Sequence, residues 1–427
     1  MIDIKLIREN PELVKKAAAD KGMRVDIDKL LAVDAQRREF ETEFNDLRHE
    51  QKQAGEEIAK ALKAERAELS KAMGALKGRL KQLDEQRGAV DEELRQLLML
   101  VPQIPDADAP IGPDESGNVE IRRVGEPKRK ADFGFEFRDH EQLGLDLGLF
   151  DIERGVKLAG ARNYVLTGNG ALLHEAVMRL AFDLMVERGF TPLMVPVLVN
   201  ERLMEGTGFF PLHREEVYLA ERDNKCLVGT AEVPVTGLHM DEILDADALP
   251  KRYMARSACF RREAGAAGRD TRGLYRIHYF EKLEAVVVCE ADAATSTRMH
   301  KEIMDCAEAL LGKLELPYRV LEICTGDMGQ GKARQYDIET WMPGRDAYGE
   351  THSASKYHDF QARRLNIRYR DADGKPRFCH TLNTTIAASP RILIPLLEAN
   401  QQADGSIAIP SALRPYCRGR ERFERRK

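Results

Sequence analysis

Two stretches in the first quarter of the chain place apolar residues at alternating spacings of three and four. The first runs Leu30, Val33, Arg37, Phe40, Phe44, Leu47, Gln51, Ala54, Ile58, Ala61, and the second runs Leu69, Met73, Leu76, Leu80, Leu83, Arg87, Val90, Leu94, Leu97, Val101. Arg37, Gln51 and Arg87 alone interrupt these seams, and such a repeat sustained over several heptads is the mark of supercoiled helices. Two helices of similar length with a short gap predict an antiparallel hairpin folding back near residues 64–67, each arm roughly 50 Å long at the helical rise. The same period also suits a dimerisation coil or a spacer. A hairpin pairs with itself and leaves its tip free to touch another molecule. The tip carries Lys60, Lys63, Arg66 and Lys71, but Glu56, Glu57, Glu65 and Glu68 dilute them, and by charge alone this is a solvated helix face.

The Pro-, Asp- and Gly-rich residues 101–118 end the helical pattern and read as a linker. Beyond them, helical periods (172–188, 294–311) mix with strand-like runs (193–198, 284–288, 366–370). DADGK, from Asp371, has the chemistry of a hairpin turn. The order is not a regular alternation of strand and helix, so an α+β fold with an antiparallel sheet is expected.

Composition narrows the function classes. A chain of 427 residues, 43% of them hydrophobic, can build two or three domains and a large core. Its 32% charged residues exceed the usual share of about a quarter, as a long solvated helical element requires. A net charge of -5 argues against a general polyanion binder, leaving nucleic-acid contact to local basic patches. The seven cysteines are scattered without a CxxC, which predicts reduced thiols in a cytoplasmic protein rather than disulfides or a cysteine zinc site. The opening MIDIKLIRENPELV carries acids among its apolar residues, unlike a signal peptide. No apolar run reaches the roughly 18 residues of a membrane span. The tail RPYCRGRERFERRK is basic and reads as a solvated end or as a contact for RNA phosphates.

Candidate chemistry begins with a decoy. GDMGQGK at 326–332 fits GxxxxGK, but a P-loop continues with Ser or Thr and here Ala333 follows, so a loop packed beside the sheet is expected. His352 and His358, with Cys379 and His380 further on, show no zinc-ligand spacing. More informative is 259–284, CFRREAGAAGRDTRGLYRIHYFEKLE, which reads as strand, Gly-rich loop, strand. Arg261 and Glu263 would share one face of the first strand, a cation beside a carboxylate on a rigid element. Arg276, His278, Phe280, Lys282 and Glu284 would share a face of the return strand. The loop holds Arg269, Asp270 and Arg272 among glycines, suited to closing over phosphate or an RNA end, or to forming a surface hairpin with its charges in water.

FRREAG…GRDTRG…FEKLE, within 256–286, resembles motif 2 of the class II aminoacyl-tRNA synthetases in its seryl form. ERGFTPLMVPVLVN at 187–200 resembles motif 1, with Pro196 as its proline, and TLNTTIAASPRILIPLLE within 381–399 resembles motif 3, with Arg391 as its arginine. GTAEVPVTGLH contains the family's TAE, and CTGDMG, YDIETWMPG, DFQARR and QQADGSIAIPSALRPY are further landmarks, so the likeness covers nearly the whole chain. It implies a tRNA-binding domain with a long coiled-coil arm over 1–103, a linker at 104–118 and, over 119–427, a class II catalytic domain whose antiparallel β-sheet is flanked by helices. It also implies a cytoplasmic homodimer joined through motif 1, whose arm contacts the long variable arm of tRNA(Ser) held on the partner subunit. The implied reaction is ATP-dependent attachment of L-serine to tRNA(Ser), and to tRNA(Sec) where an organism uses it, through a seryl-adenylate. Neither step needs a protein nucleophile, so positioning and charge stabilisation carry it.

Residue by residue, the likeness assigns catalysis to Arg261, Glu263 and Arg391. Arg261 would bridge the serine carboxylate and the α-phosphate, since its planar fork suits both. ATP would be held by Arg261, Arg262 and Glu263, by Ile277 beside the adenine, by the run Glu350, Thr351, His352 and Ser353, and by Arg391 on the terminal phosphates. Mg²⁺ would be carried with ATP at Glu350. L-serine would meet Thr230, Ala231, Glu232, Glu284, Asn383 and Thr385, with ammonium and hydroxyl contacts undivided among them. A pocket matched to a hydroxyl rejects alanine, which leaves its polar groups unpaired. Two stretches depart from the common pattern: GETHSASK (349–356), where many relatives read REISSCSN, and TLNTTIAASPR, where many read TLNGSGLAVGR. Thr385 keeps a hydroxyl but adds a methyl and stiffens χ1, and Pro390 is expected at the start of a helix carrying Arg391. A ligase that charges a carrier protein would lack the coil, and a non-catalytic RNA-binding paralogue would lack Arg261, Glu263 or Arg391. All of these are present.

Overall fold

The structure is a computed structural model that describes residues 1–62, 65–266, 268, 270 and 272–424. Lys63 and Ala64 at the expected turn of the hairpin, Arg269 of the cationic loop and residues 425–427 of the basic tail lie outside the described residues. The chain divides into two compact units, Met1–Pro102 and Gln103–Lys427.

In the first unit two short helices, Ile4–Glu9 and Pro11–Asp20, precede the long helices α1 (Ile27–Lys60) and α2 (Arg66–Leu100). The Asp26 carboxylate caps α1 by accepting from the Lys29 amide, satisfying one of the unpaired donors every helix start exposes. The seam positions come together: Phe44, Leu80 and Leu83 form one buried cluster, with Phe40, Leu47 and Leu76 against it. Salt bridges join Lys29 to Glu93 (2.8 Å), Arg37 to Asp91 (2.7 Å) and Arg79 to Glu43 (2.7 Å). One partner's number falls as the other's rises, so the helices run antiparallel, as the repeat predicted. The arginines that interrupt the seam are used rather than buried bare. Arg37 takes Asp91, and Arg87 lies 4.2 Å over the Phe44 ring while it pairs with Asp84.

Among the described residues of the second unit, the largest sheet has eight strands. In chain order these are β1 (Val119–Val124), β2 (Thr191–Leu193), β3 (Lys251–Phe260), β4 (Tyr279–Cys289), β5 (Tyr318–Glu322), β6 (Arg334–Met342), β7 (Ala347–His358) and β8 (His380–Ser389). Their order across the sheet is β1-β5-β6-β7-β8-β4-β3-β2, antiparallel throughout except for β2 beside β3. Successive side chains on a strand point to opposite faces. Leu283, Ala285 and Val287 of β4, Ala354 of β7 and Leu382 of β8 share one core with helices α3 (Asn169–Glu187) and α4 (Ala293–Lys313). The alternate residues of the same strands, among them Lys282, Glu284, Ser353, Ser355, Asn383 and Thr385, line a cavity on the other face. A register shift between Leu283 and Glu284 pairs Leu283 with Ala387 but Glu284 with Thr385. The extra residue lets Ile386 and Ala387 both enter the core while Thr385 stays with the cavity.

Some expectations hold in this unit and others are corrected. The proposed linker is tied down: the Gln103 amide donates to the Gln330 carbonyl (2.9 Å), and the Asp106 amide donates to the Ala333 carbonyl (2.9 Å). The Asp106 carboxylate also meets Lys356 (2.6 Å) and His358 (2.8 Å). Burial works against its charge, yet these two partners hold that carboxyl well below the usual carboxylate range. The strand expected at 193–198 is broken into β2 and a separate strand, Leu198–Asn200, because Pro196 between them has no amide to give a ladder. The strand expected at 366–370 shortens to Arg368–Arg370, since Asn366 adopts a left-handed conformation (φ +57°) that ends the helix Phe360–Leu365. The turn after it closes a hairpin with Pro376–Phe378, as its composition predicts. GDMGQGK leads into strand β6 and not into the helix a P-loop requires. Gly326 is needed there because a Cβ would come 2.3 Å from the Pro113 carbonyl oxygen. Pro390 does not open a helix around Arg391, for the helix begins later, at Leu393–Ala399.

Leu83 is fully buried between the two long helices. Leu83→Ala is expected to cost the first unit about 2–5 kcal/mol, read as an earlier loss of helical circular dichroism in denaturant titrations of the full chain.

Candidate active site

A cavity of about 520 Å³ opens on the polar face of β4, β7 and β8, and a smaller one of about 60 Å³ adjoins it. Arg261, Glu263, Lys282, Glu350 and Thr385 line both, so the two are ends of one site.

The larger end is built around buried acids. Glu232 opens the short helix Glu232–Thr236 and is 6% exposed, and its amide donates to the Thr230 hydroxyl (3.1 Å). Gln361 donates to the Glu232 carboxylate (2.8 Å), and Tyr357 hydrogen-bonds the same carboxylate. Burial, reinforced by Glu232, pushes the Tyr357 hydroxyl far above its ordinary value, so it stays a donor. Glu284 on β4 is 2% exposed. It pairs with Lys282 at 2.6 Å and accepts from the Thr385 hydroxyl at 3.2 Å. Burial drives the Glu284 carboxyl upward and Lys282 opposes it. Asn383 completes this wall, and Gly329 to Lys332 form the facing one.

The smaller end is more apolar, with Tyr275, Ile277, Phe280 and Ala388, and is closed by Arg391 and Thr351. The Arg391 guanidinium lies 4.5 Å over the Tyr275 ring, donates to the Glu350 carbonyl (3.1 Å) and stands 3.9 Å from the Glu350 carboxylate. Arg261 lies 5.2 Å over the Phe280 ring. Both cations are thus fixed before any ligand arrives.

Arg261 and Glu263 do reach the site together, but not from a shared strand face. β3 ends at Phe260, and Glu263 adopts a left-handed backbone (φ +52°), a strained choice for a residue with a Cβ. Arg276 holds it from across the loop at 3.3 Å. Thr230, Glu232, Glu284, Asn383 and Thr385 line the larger end, Ser353 lines it too, and Ile277, Thr351 and Arg391 line the smaller. Three expected residues are placed elsewhere. Ala231 packs into an apolar cluster with Val235, Ala255 and Val286. Arg262 is exposed and turned away, its amide donating to the Glu216 carbonyl (3.0 Å). His352 is 1% exposed and lines neither cavity. It accepts from the Thr351 hydroxyl (2.8 Å) and donates to the Ile386 carbonyl (3.1 Å). Strand alternation sends it to the core while Ser353 faces the site.

Sequence reasoning missed Tyr357, Gln335, Asp337 and the 329–332 loop. Gln335 donates to Asp337 (2.8 Å) and to Ser353 (3.2 Å). Burial, then the nearby Glu350 charge, pushes the Asp337 carboxyl well above the usual range. For Gln335 and Asp337 the signal available was the polar alternation of Gln335, Asp337 and Glu339 in one strand.

An antiparallel sheet with arginines and buried carboxylates on one face is the architecture of a class II tRNA synthetase core. A family model of that core domain (G, H, P, S and T) matches residues 215–400, and one of the seryl-tRNA synthetase N-terminal domain matches 1–105. A serine--tRNA ligase of Symbiobacterium thermophilum is 44% identical over 428 residues, spanning 100% of both chains. That of Deinococcus radiodurans is 45% identical over 423 residues, 99% of this chain and 98% of its own. The structure of seryl-tRNA synthetase from Pyrococcus horikoshii complexed with ATP superposes with a TM-score of 0.90 at 37% identity over 100% of both chains. A prolyl-tRNA synthetase from Giardia lamblia, 15% identical with a TM-score of 0.57 over 68% of this chain, shares the fold alone. The chain belongs to the seryl-tRNA synthetases.

Burial lowers the His352 imidazole to about 4 and that of His300, also buried, to about 3. Between those values and the ordinary 6.5 or so the unfolded chain binds protons that the folded chain refuses. Stability is therefore present above about pH 6.5 and lost as pH falls, by up to about 1.4 kcal/mol per pH unit for each group. Denaturant titrations from about pH 7.5 to 4.5 are expected to show this slope, and His352→Gln to flatten it.

Proposed function

We propose that the two joined ends hold L-serine and ATP side by side, and that this chain makes seryl-adenylate there and passes the seryl group to tRNA(Ser). The observation that carries the reading is the pair of shared cations, Arg261 and Lys282, at the boundary between an acidic end fitted to an amino acid and an apolar, arginine-closed end fitted to a nucleotide. The serine carboxylate attacks the α-phosphorus of ATP, the bond to the bridging oxygen breaks, and pyrophosphate leaves. A ribose hydroxyl at the tRNA end then attacks the seryl carbonyl and AMP leaves. Arg261, held by Phe280, neutralises the carboxylate and α-phosphate as they approach, and Arg391, held by Tyr275, takes the outer phosphates. Ile277 packs on the adenine. Thr230, Glu232 and Glu284 receive the serine ammonium and hydroxyl, and the tightness of Thr385 and Asn383 around them excludes threonine's extra methyl.

The residues present fit Mg²⁺. Glu350, Ser353 and Asp337 offer oxygen donors, the kind Mg²⁺ prefers, and burial together with the nearby Glu350 charge raises the Asp337 carboxyl, which supports a cation beside them. Bound there with the nucleotide, Mg²⁺ would supply neutralisation of phosphate charge. The antiparallel arm of α1 and α2 is the element that grips tRNA(Ser), and tRNA(Sec) where present. The described residues contain no helix long and apolar enough to cross a membrane, and the cytoplasm is the compartment we assign. Homodimerisation through the motif 1 segment is supported by its exposed apolar side chains: Met194 is 101% exposed and Leu198 43%, beside the edge strand β2.

Serine-dependent ATP–pyrophosphate exchange tests the reading, with alanine, threonine and cysteine as controls. Exchange with serine and a loss of about a hundredfold or more in Arg261→Ala are expected, followed by charging of tRNA(Ser). A folded protein that does not exchange with serine overturns it. Asp337→Asn is expected to raise the Mg²⁺ concentration for half-maximal exchange by about tenfold.

A further inference from the structure

Lys282 has no role in the assignments that the family likeness carries to this chain, yet it is the most enclosed cation of the site. It is 6% exposed, with its ammonium 2.6 Å from the Glu284 carboxylate and 3.4 Å from the Thr385 hydroxyl, which itself donates to Glu284 at 3.2 Å. The three groups close a ring. Lys282 and Glu284 stand two apart on β4 and so share its face. Glu284 lines the larger end only, whereas Lys282 lines both.

We propose that Lys282 is a positioning residue for serine, the fixed counterion that keeps Glu284 charged and aimed at the amino acid. The proposal rests on the functional reading above and deepens it. Charge balance supports it. Glu232 and Glu284 bring two negative charges to the buried wall of the cavity, and an arriving serine brings one ammonium, while its carboxylate goes to Arg261. The second positive charge has to come from the protein, and Lys282 is placed to supply it. Among the described residues the other groups of this end do not do so, and Lys332 on the facing wall is bonded to Gln335 (2.9 Å) and acts on Asp337. Glu232, from its short helix, is itself an acid. Cys259 on β3 is a thiol raised by burial, and Tyr357 on β7 is a phenol raised by burial; both are neutral. Thr385 and Asn383 on β8 carry no charge. Arg276 is engaged with Glu263 and Asp270, and Arg261 is committed to the carboxylate. Burial already pushes the Glu284 carboxyl up against the pull of Lys282, so removing the lysine leaves a carboxyl that takes up a proton at a higher pH than in the native chain.

The test is the KM for serine and for ATP in pyrophosphate exchange, measured from about pH 6.5 to 9.5, for the native chain and for Lys282→Met, whose side chain nearly matches lysine in length. The variant is expected to show a serine KM about tenfold or more above native at pH 7, a near-native ATP KM, and a serine KM that recovers as pH rises and Glu284 ionises. In Glu284→Gln that pH dependence should be absent, and adding Lys282→Met should not restore it. A serine KM that stays native, or rises equally at every pH, or rises together with the ATP KM, overturns the proposal. Should Lys282→Met fail to fold, Lys282→Gln keeps a polar group at the same place and must show the same pH pattern. A native chain without serine-dependent exchange overturns the functional reading and this proposal together. A native chain that exchanges beside an unaltered Lys282 variant overturns this proposal alone.

Discussion

The rest of the second unit depends on a period of two in three neighbouring strands. β4, β7 and β8 each hand every other side chain to a core shared with α3 and α4 and the intervening ones to the cavity. A slip of one residue would bury Lys282, Glu284, Asn383 and Thr385 among leucines and open Leu283 and Leu382 to water, so the apolar face enforces the register of the polar one. The irregularity between β4 and β8, where Ile386 and Ala387 both enter the core, is what keeps Thr385 opposite Glu284. The site is rigid because its scaffold is a packed core and not because its own residues attract one another.

On that scaffold the cavity arranges charge in closely matched sets. Glu284 has Lys282, Glu263 has Arg276, and Glu232 has Gln361 and Tyr357. Arg261 and Arg391 are steadied on aromatic rings and so keep capacity for a ligand's anionic groups. Asp337 departs from this matching, a carboxyl that burial and the nearby Glu350 charge raise against the opposing pull of Lys332. That contrast separates what the fold has already satisfied from what a substrate or cation has still to complete.

The segment after Pro102 belongs to the same logic. Gln103 and Asp106 are bonded to Gln330, Ala333, Lys356 and His358, and Gln330 is itself a cavity wall. A stretch whose composition is that of a tether is thus part of the frame around the site. Its acids found buried cations, and Gly326 found room only against the Pro113 carbonyl.

The heptad seams determined the antiparallel hairpin almost without help. A helix makes its contacts locally, and Leu30 to Leu94 announce their face by spacing alone. The long helices α3 and α4, the Asp371 turn, and the ordered motifs around Arg261, Glu284, Thr385 and Arg391 were legible for the same reason, since each is carried by neighbours in sequence. Tertiary structure alone decided the rest. It broke the 193–198 run at Pro196, ended β3 before Arg261, and turned Ala231, Arg262 and His352 out of the site. It also brought in Tyr357, Asp337 and the 329–332 loop. Those outcomes hang on which strand lies beside which and on where one residue is inserted into a ladder. Such pairings join positions 100 or so apart in the chain, as Glu284 and Thr385 are, and no local pattern encodes them.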